Sequence, residues 1–379
     1  MRLGADEVLD RRLLRGGANP VAVAVSGGGD SLALLLIAAD WAREAGRRLL
    51  VLTVDHRLRP ESADWTQACA ATADRLGLAF RAVAWTGDKP ATGLPAAARA
   101  ARHALLADAA REAGARVILM GHTADDALEA GLMRAAGSTT PDPREWGPSP
   151  AWPQGRGVFL LRPLLTARRA AIRDWLGARG ETWIDDPAND DATYARPRAR
   201  QAAARGAAPA EVAPAPSPRV LALACRAEDS AGLEIDRDAI TAAAPDAAAR
   251  FVSAACLCAA GTDRPPARGK VARLLSQLAA GAPFVATLAG ARIEADDRVI
   301  RFRREPGEAA RGGLAALSLQ AGETGVWDGR FEITAARAVE VRAWPGKAAP
   351  ALEADDGRVL SLVHDRLLAA CGAVEREPA

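Results

Sequence analysis

Lysine is nearly missing from this chain. Of the 49 basic residues, three are Lys (Lys89, Lys270 and Lys347), leaving 46 Arg in a sequence of 379 residues. No phosphate loop of the GxxxxGK(S/T) type can be written from them. Cysteine is scarce too. Cys69, Cys225, Cys256, Cys258 and Cys371 are odd in number and dispersed, which excludes a disulfide framework. No CxxC pair occurs, and Cys256-Leu257-Cys258 on an apolar stretch reads as buried core. No apolar run approaches the 18 or so residues of a membrane span. The opening segment MRLGADEVLDRRLLRGG lacks the apolar stretch of a signal peptide, so a cytoplasmic protein without membrane contact is expected. A net charge of +2 carries no global polyanion signature, so any nucleic-acid surface must be local.

What the first 200 residues do contain is βα alternation. Val21–Val25 reads as a short buried strand, followed by Ser26-Gly27-Gly28-Gly29-Asp30-Ser31 and an apolar helix from Leu32. Strands are predicted at Leu49–Val54, Phe80–Trp85, Val117–Met120 and Val158–Leu161, with helices over Ala63–Leu76, Leu94–Ala113 and beyond Asp126. The pattern is that of an α/β fold, a doubly wound, mostly parallel, Rossmann-like sheet. Ligands of such sheets sit beyond the C-terminal strand ends, where the polar clusters Ser26–Ser31, Asp55–Ser62 and Gly121–Asp126 fall. Thr139–Gln154, rich in proline, reads as an ordered surface loop, and Ala202–Pro218 as a linker. Arg219–Ala260 looks helical. From about Gly281 short strand-like runs such as Phe284–Leu288 and Val299–Phe302 suggest a small β-rich domain. The expected division is a catalytic domain over 1–204, a helical linker region over 205–280 and a C-terminal domain over 281–379.

A strand, a Gly-rich turn and a helix N-terminus make an anion site, because glycines let backbone N–H groups crowd an oxyanion and the helix dipole favours it. Asp30 in that turn suits a Mg²⁺ ligand beside phosphates. At the same sheet edge, Gly121-His122-Thr123-Ala124-Asp125-Asp126 joins a strand to a helix. Asp125 and Asp126 can simply cap that helix. The four-residue spacing of His122 and Asp126 also allows both to face the first loop, with Asp30 and Asp126 sharing a Mg²⁺ or polarising a nucleophile. Arg99 and Arg102 share a helix face and can clamp phosphate or lie in solvent. The stretch from Arg162-Pro163-Leu164-Leu165 through Arg168-Arg169 to Trp183, Asp185–Asp191 and Tyr194-Ala195-Arg196-Pro197-Arg198-Ala199-Arg200 interleaves arginine with aromatics. That combination suits RNA phosphates and unstacked bases.

SGGGDS resembles the signature of the PP-loop ATP pyrophosphatases. Taken in order, SGGGDS, VDHRLRPES, ARAARH, GHTADDALEA, RPLL and DDPANDDATYARPRAR resemble the tRNA(Ile)-lysidine synthetases, over about residues 20–200. A weaker echo lies in Ala286–Glu305 and Trp327–Phe331. The departures are His103 for the usual Tyr, Pro95 for a Glu, Ala130 for a Thr, and Pro197 within the arginine segment. The resemblance implies adenylation by ATP of C2 of the wobble cytidine in a tRNA(Ile) with a CAU anticodon. Free L-lysine then displaces AMP. It implies that Ser26, Gly27, Gly28, Gly29, Asp30 and Ser31 cradle ATP, that Asp30 and Asp126 hold Mg²⁺, and that His122 and Arg99 steady the α-phosphate. One of the two carboxylates takes the proton of the attacking ammonium, and Arg196, Arg198 and Arg200 hold the tRNA. Members of the family often dimerise, so a homodimer is a further expectation. Three other readings remain: a cytidine thiolase of the same superfamily, which commonly uses the CxxC missing here, a PP-loop ligase of metabolites, and a non-catalytic RNA-binding module.

Overall fold

The strand predicted at Val21 lies inside a six-stranded sheet in the computed structural model, which describes residues 3–138, 140, 142–185, 195–206, 216–229, 231–307, 314–344 and 349–378. The chain divides into two compact units, Met1–Val212 with Glu375–Ala379, and Ala213–Val374.

In the first unit the elements run α1 (Ala5–Arg12), β1 (Val21–Ala24), α2 (Gly29–Ala45), β2 (Leu49–Asp55), α3 (Ser62–Arg75), β3 (Ala79–Ala84), α4 (Leu94–Glu112), β4 (Val117–Met120), α5 (Ala124–Ala135), β5 (Trp146–Pro148), β6 (Phe159–Leu161), α6 (Arg169–Gly177) and α7 (Ala195–Ala204). The strand order is β3-β2-β1-β4-β6-β5. All pairs are parallel except β5 on β6. The winding reverses between β1 and β4, and a crevice opens at such a switch point beyond the strand ends. Ala24 pairs with Met120 on one side and Leu52 on the other, so the polar turns after β1, β2 and β4 emerge side by side.

Helix α2 is apolar all round from Leu32 to Ala39 because that stretch is buried on every side. Its residues Leu32–Ala39 share a core with β1 and β4, with Leu9 and Leu13 at α1, and with Ile172 and Leu176 of α6. Helices without a polar face are those buried on every side. The loop reading of Thr139–Gln154 needs correction, since Trp146–Pro148 is an antiparallel edge strand on β6. Trp146 stacks on Phe159 with ring centroids 4.8 Å apart. A three-residue strand holding Pro148 is tolerated because it stands at the edge.

Arg57, just beyond β2, has φ +51, a left-handed backbone that favours glycine. Its N–H donates to Asp55 Oδ1 at 2.8 Å, which holds the turn. Arg57→Gly is expected to raise the unfolding free energy by about 0.5–1 kcal/mol, read as a higher urea midpoint.

The second unit contains α8 (Arg219–Ala224), β7 (Arg226–Ala227), β8 (Leu233–Asp236), α9 (Arg237–Thr241), α10 (Pro245–Ala260), α11 (Arg268–Ala279), β9 (Phe284–Leu288), β10 (Ala291–Ala295) and β11 (Val299–Arg304). The five strands form an antiparallel sheet ordered β7-β8-β11-β10-β9. Phe251 of α10 packs edge-on against Phe302 at 6.2 Å. Leu233–Asp236 lies in a stretch expected to be helical, but its apolar–polar alternation pairs it with β11. Two three-stranded sheets and a helix over Val363–Ala370 also belong to the unit. All five cysteines are buried thiols outside any disulfide. Burial pushes the thiols of Cys225, Cys256 and Cys258 up to about 12, so they act as core residues. No helix among the described residues is long and apolar enough to cross a membrane.

Candidate active site

The SGGGDS turn is tied together by its own serines. Ser31 Oγ donates to the Gly28 carbonyl at 2.8 Å and accepts from Ser26 N at 3.1 Å. Gly28 caps α2 without a side chain, which leaves the first N–H groups of the helix open to an anion. Two of the glycines here are fixed by sterics. Gly27 has φ +84, and a Cβ on it would lie 2.5 Å from Ile184 Cδ1. A Cβ on Gly121 would lie 3.0 Å from the Asp30 carbonyl, so β4 ends directly against the start of α2. Ile184 N also donates to the Gly27 carbonyl at 3.0 Å. Trp183 and Ile184 thus lie against the loop. Gly27→Ala is expected to raise KM for ATP by at least about tenfold, because strain and the Ile184 contact displace the cradle. Nucleotide titration of the purified variant checks this.

Three carboxylates lie beside the loop, linked by arginines. Arg169, at the start of α6, donates from Nε to Asp30 Oδ2 at 3.2 Å, from Nη2 to Asp126 Oδ1 at 3.2 Å and from Nη1 to Glu129 Oε1 at 3.1 Å. Its backbone N–H donates to Asp125 Oδ2 at 2.7 Å. From α7, Arg196 Nε reaches Glu129 Oε2 at 3.0 Å and its Nη2 reaches Asp126 Oδ1, while Arg200 Nε reaches Glu129 Oε1 at 2.9 Å. Asp126 has a second duty in a capping box with Thr123. Its Oδ2 accepts from Thr123 N at 2.7 Å and from Thr123 Oγ1 at 3.0 Å. Burial raises the pKa of Asp30, and the Asp126 charge adds to it against the pull of Arg169. Burial works against the charges of Arg169 and Arg196, but the carboxylates hold both above their ordinary value.

The other half of the site is basic. His122 lies ahead of α5, which begins at Ala124 behind the Thr123 cap. The four-residue spacing therefore does not place His122 on the helix face of Asp126. Arg162 Nε donates instead to His122 Nδ1 at 3.1 Å. Burial, then Arg162, Arg102, Arg196 and Arg99, push His122 down to about 2. Burial and neighbouring cations lower Arg99, and lower Arg102 and Arg162 to about 10. Arg102 Nε and His103 Nε2 are buried with no hydrogen-bond partner among the described residues.

Residues 6–205 match the PP-loop domain family. Over 97% of both chains the protein is 48% identical to the tRNA(Ile)-lysidine synthase of Caulobacter vibrioides. It is 38% identical to that of Brucella ovis, over 83% of this chain and 74% of the relative. The chain belongs to the tRNA(Ile)-lysidine synthase family. Among solved structures, the U34-tRNA thiolase NcsA of Methanococcus maripaludis overlaps 53% of this chain and 70% of its own, with a TM-score of 0.44 and 16% identity.

With the PP-loop domain goes use of ATP. In this lysidine synthase family member the motif residues Ser26–Ser31, His122 and Asp126 all stand at the sheet's switch point, and Arg99, Arg196 and Arg200 make up its charge balance. Arg198 is exposed on α7. Tyr194 and Asp186–Asp191 fall outside the described residues, as do 207–215 of the expected linker. The sequence reading missed Arg169, which it set among tRNA contacts, and the partnership of Arg162 with His122. A signal for Arg169 existed: an arginine opening a helix opposes the dipole and so calls for nearby carboxylates.

His103 replaces the family's usual Tyr and is 4% exposed. Burial, then Arg102, push its pKa from 6.5 to about 2. The unfolded chain takes up its proton near 6.5 and the folded chain does not, so stability falls as pH drops below that value. His103→Tyr is expected to remove about 2 kcal/mol of the stability lost between about pH 7 and 5. Urea midpoints at the two pH values measure it.

Proposed function

We propose that this cleft carries out the ATP-dependent ligation of lysine to tRNA(Ile) in two half-reactions, divided between its basic and acidic halves. The observation that carries the reading is this division at one switch point. Arg99, Arg102, Arg162 and His122 gather on one side, and Asp30, Asp126 and Glu129 on the other, flanking an anion-binding turn.

In the first half-reaction the turn Ser26–Ser31 and the N-terminus of α2 hold the pyrophosphate end of ATP. The C2 oxygen of the wobble cytidine of a CAU anticodon attacks the α-phosphorus, and the bond to pyrophosphate breaks. Charge developing on the α-phosphate faces Arg99 and His122, which act electrostatically. In the second, the lysine ε-amine, having given up a proton, attacks C2 and AMP leaves. Of the two candidate acceptors, Asp126 is committed through both oxygens to Thr123, Arg169 and Arg196. Asp30 accepts, among the described residues, only from Arg169. This bonding favours Asp30 as the acceptor.

Asp30 and Asp126 also fit a Mg²⁺ that draws its other ligands from phosphate oxygens, since one guanidinium already bridges the two carboxylates. When bound, the ion would neutralise phosphate charge. Arg196, Arg198 and Arg200 fit the backbone of the tRNA, with the first and last released from Asp126 and Glu129. The test is pyrophosphate release without lysine. A burst of about one equivalent per site, dependent on tRNA(Ile), is expected. Release only when lysine is present contradicts an adenylated intermediate.

A further inference from the structure

We infer that Arg162 is a positioning residue that fixes His122 as the neutral tautomer with its proton on Nε2. The inference rests on the two-step reading above only for its kinetic part. Arginine has donors and no acceptor. Its Nε–H points at His122 Nδ1 at 3.1 Å, so Nδ1 carries the lone pair. The single proton of the imidazole therefore sits on Nε2. His122 can donate a hydrogen bond there, and its one ring lone pair, on Nδ1, is engaged by Arg162.

The residue that imposes this is itself held from outside the motif. Arg162 Nη1 donates to the Arg144 carbonyl at 2.7 Å, and Arg162 N donates to the Glu145 carbonyl at 2.8 Å. Both carbonyls belong to the segment leading into β5. The proline-rich stretch around β5 thus orients Arg162, and through it His122. The charged groups that act most strongly on His122 from the packed elements are cations: Arg162 after β6, Arg99 and Arg102 on α4, and Arg196 on α7, while the Asp126 carboxylate of α5 offsets part of the charge of Arg99, Arg102 and Arg196. Together these cations oppose a second proton on the ring. His122 therefore serves the reaction as a hydrogen-bond donor and not as the base that deprotonates lysine.

The chain has four histidines, so ¹⁵N-histidine labelling with long-range ¹H–¹⁵N spectra resolves each ring. In the intact protein His122 is expected in the Nε2–H form, unchanged from about pH 6 to 8. In Arg162→Gln it should become a tautomer mixture that titrates. The kcat for lysidine formation should fall about 10- to 100-fold, with KM for ATP nearly unchanged, and Arg162→Lys should recover part of the loss. An Nδ1–H or doubly protonated His122 in the intact protein overturns the inference, whether or not any variant folds. A variant with the original His122 spectrum and full kcat overturns it as well. The spectrum needs no turnover, so failure of the ligase reading would show separately, as absence of lysidine with His122 still in the Nε2–H form.

Discussion

Asp30→Asn should lower lysidine formation by about 10²- to 10⁴-fold while changing the stability of its unit by no more than about 1 kcal/mol. The split follows from the bonds each carboxylate makes. Among the described residues Asp30 meets only Arg169, which keeps Asp126 and Glu129 as partners when Asp30 is neutralised. Asp126→Asn should be worse in a different way. It breaks the capping box with Thr123 and leaves Arg169 and Arg196 short of charge. A further loss of about 2–4 kcal/mol of stability is expected. Labelled-lysine turnover and urea unfolding, measured on both variants, separate the two. Equal destabilisation by both would mean that Asp30 is structural, and full turnover by Asp30→Asn would remove it from the site.

The largest stability effect should come from the far end of the chain. Glu377 returns to the first unit and meets Arg47 through two bonds of 2.8 Å, with side chains 2% and 0% exposed. The Glu377 carboxylate also accepts from Leu14 N at 3.2 Å. Removing the Glu377 charge leaves the buried Arg47 guanidinium without a counter-ion, held among the described residues only by the Leu14 and Asn19 carbonyls, so Glu377→Gln should cost about 3–5 kcal/mol. Replacing both, as in R47M with E377L, should recover most of that, because a buried ion pair often gains little over a packed apolar pair. Urea titrations of the three chains decide it. A single variant as stable as the wild type would show that the pair adds nothing.

These two predictions differ in how far the sequence foreshadows them. The sheet was legible because its strands are short apolar runs ending in polar turns, and Val117–Met120 matches to the residue. That Ser26–Ser31 and Gly121–Asp126 meet at one sheet edge was legible, because each cluster is a run of adjacent residues at a strand end. What escaped is made by residues far apart. Arg47 and Glu377 are 330 positions apart, and neither carries a local signal. Arg162 is 40 positions from His122 and Arg169 is 139 from Asp30. Periodicity places such side chains on elements but says nothing of which partner they meet. The short strands β5 and β8 were lost for a related reason, since pairing to β6 and β11 defines them more than their own composition does.

The most direct measurement is incorporation of labelled lysine into tRNA(Ile) with a CAU anticodon, with ATP and Mg²⁺, beside elongator tRNA(Met) as control. Label should enter the isoleucine tRNA alone and be lost in Asp30→Asn. Folded protein that binds both tRNAs and transfers lysine to neither, or to both alike, would contradict the account.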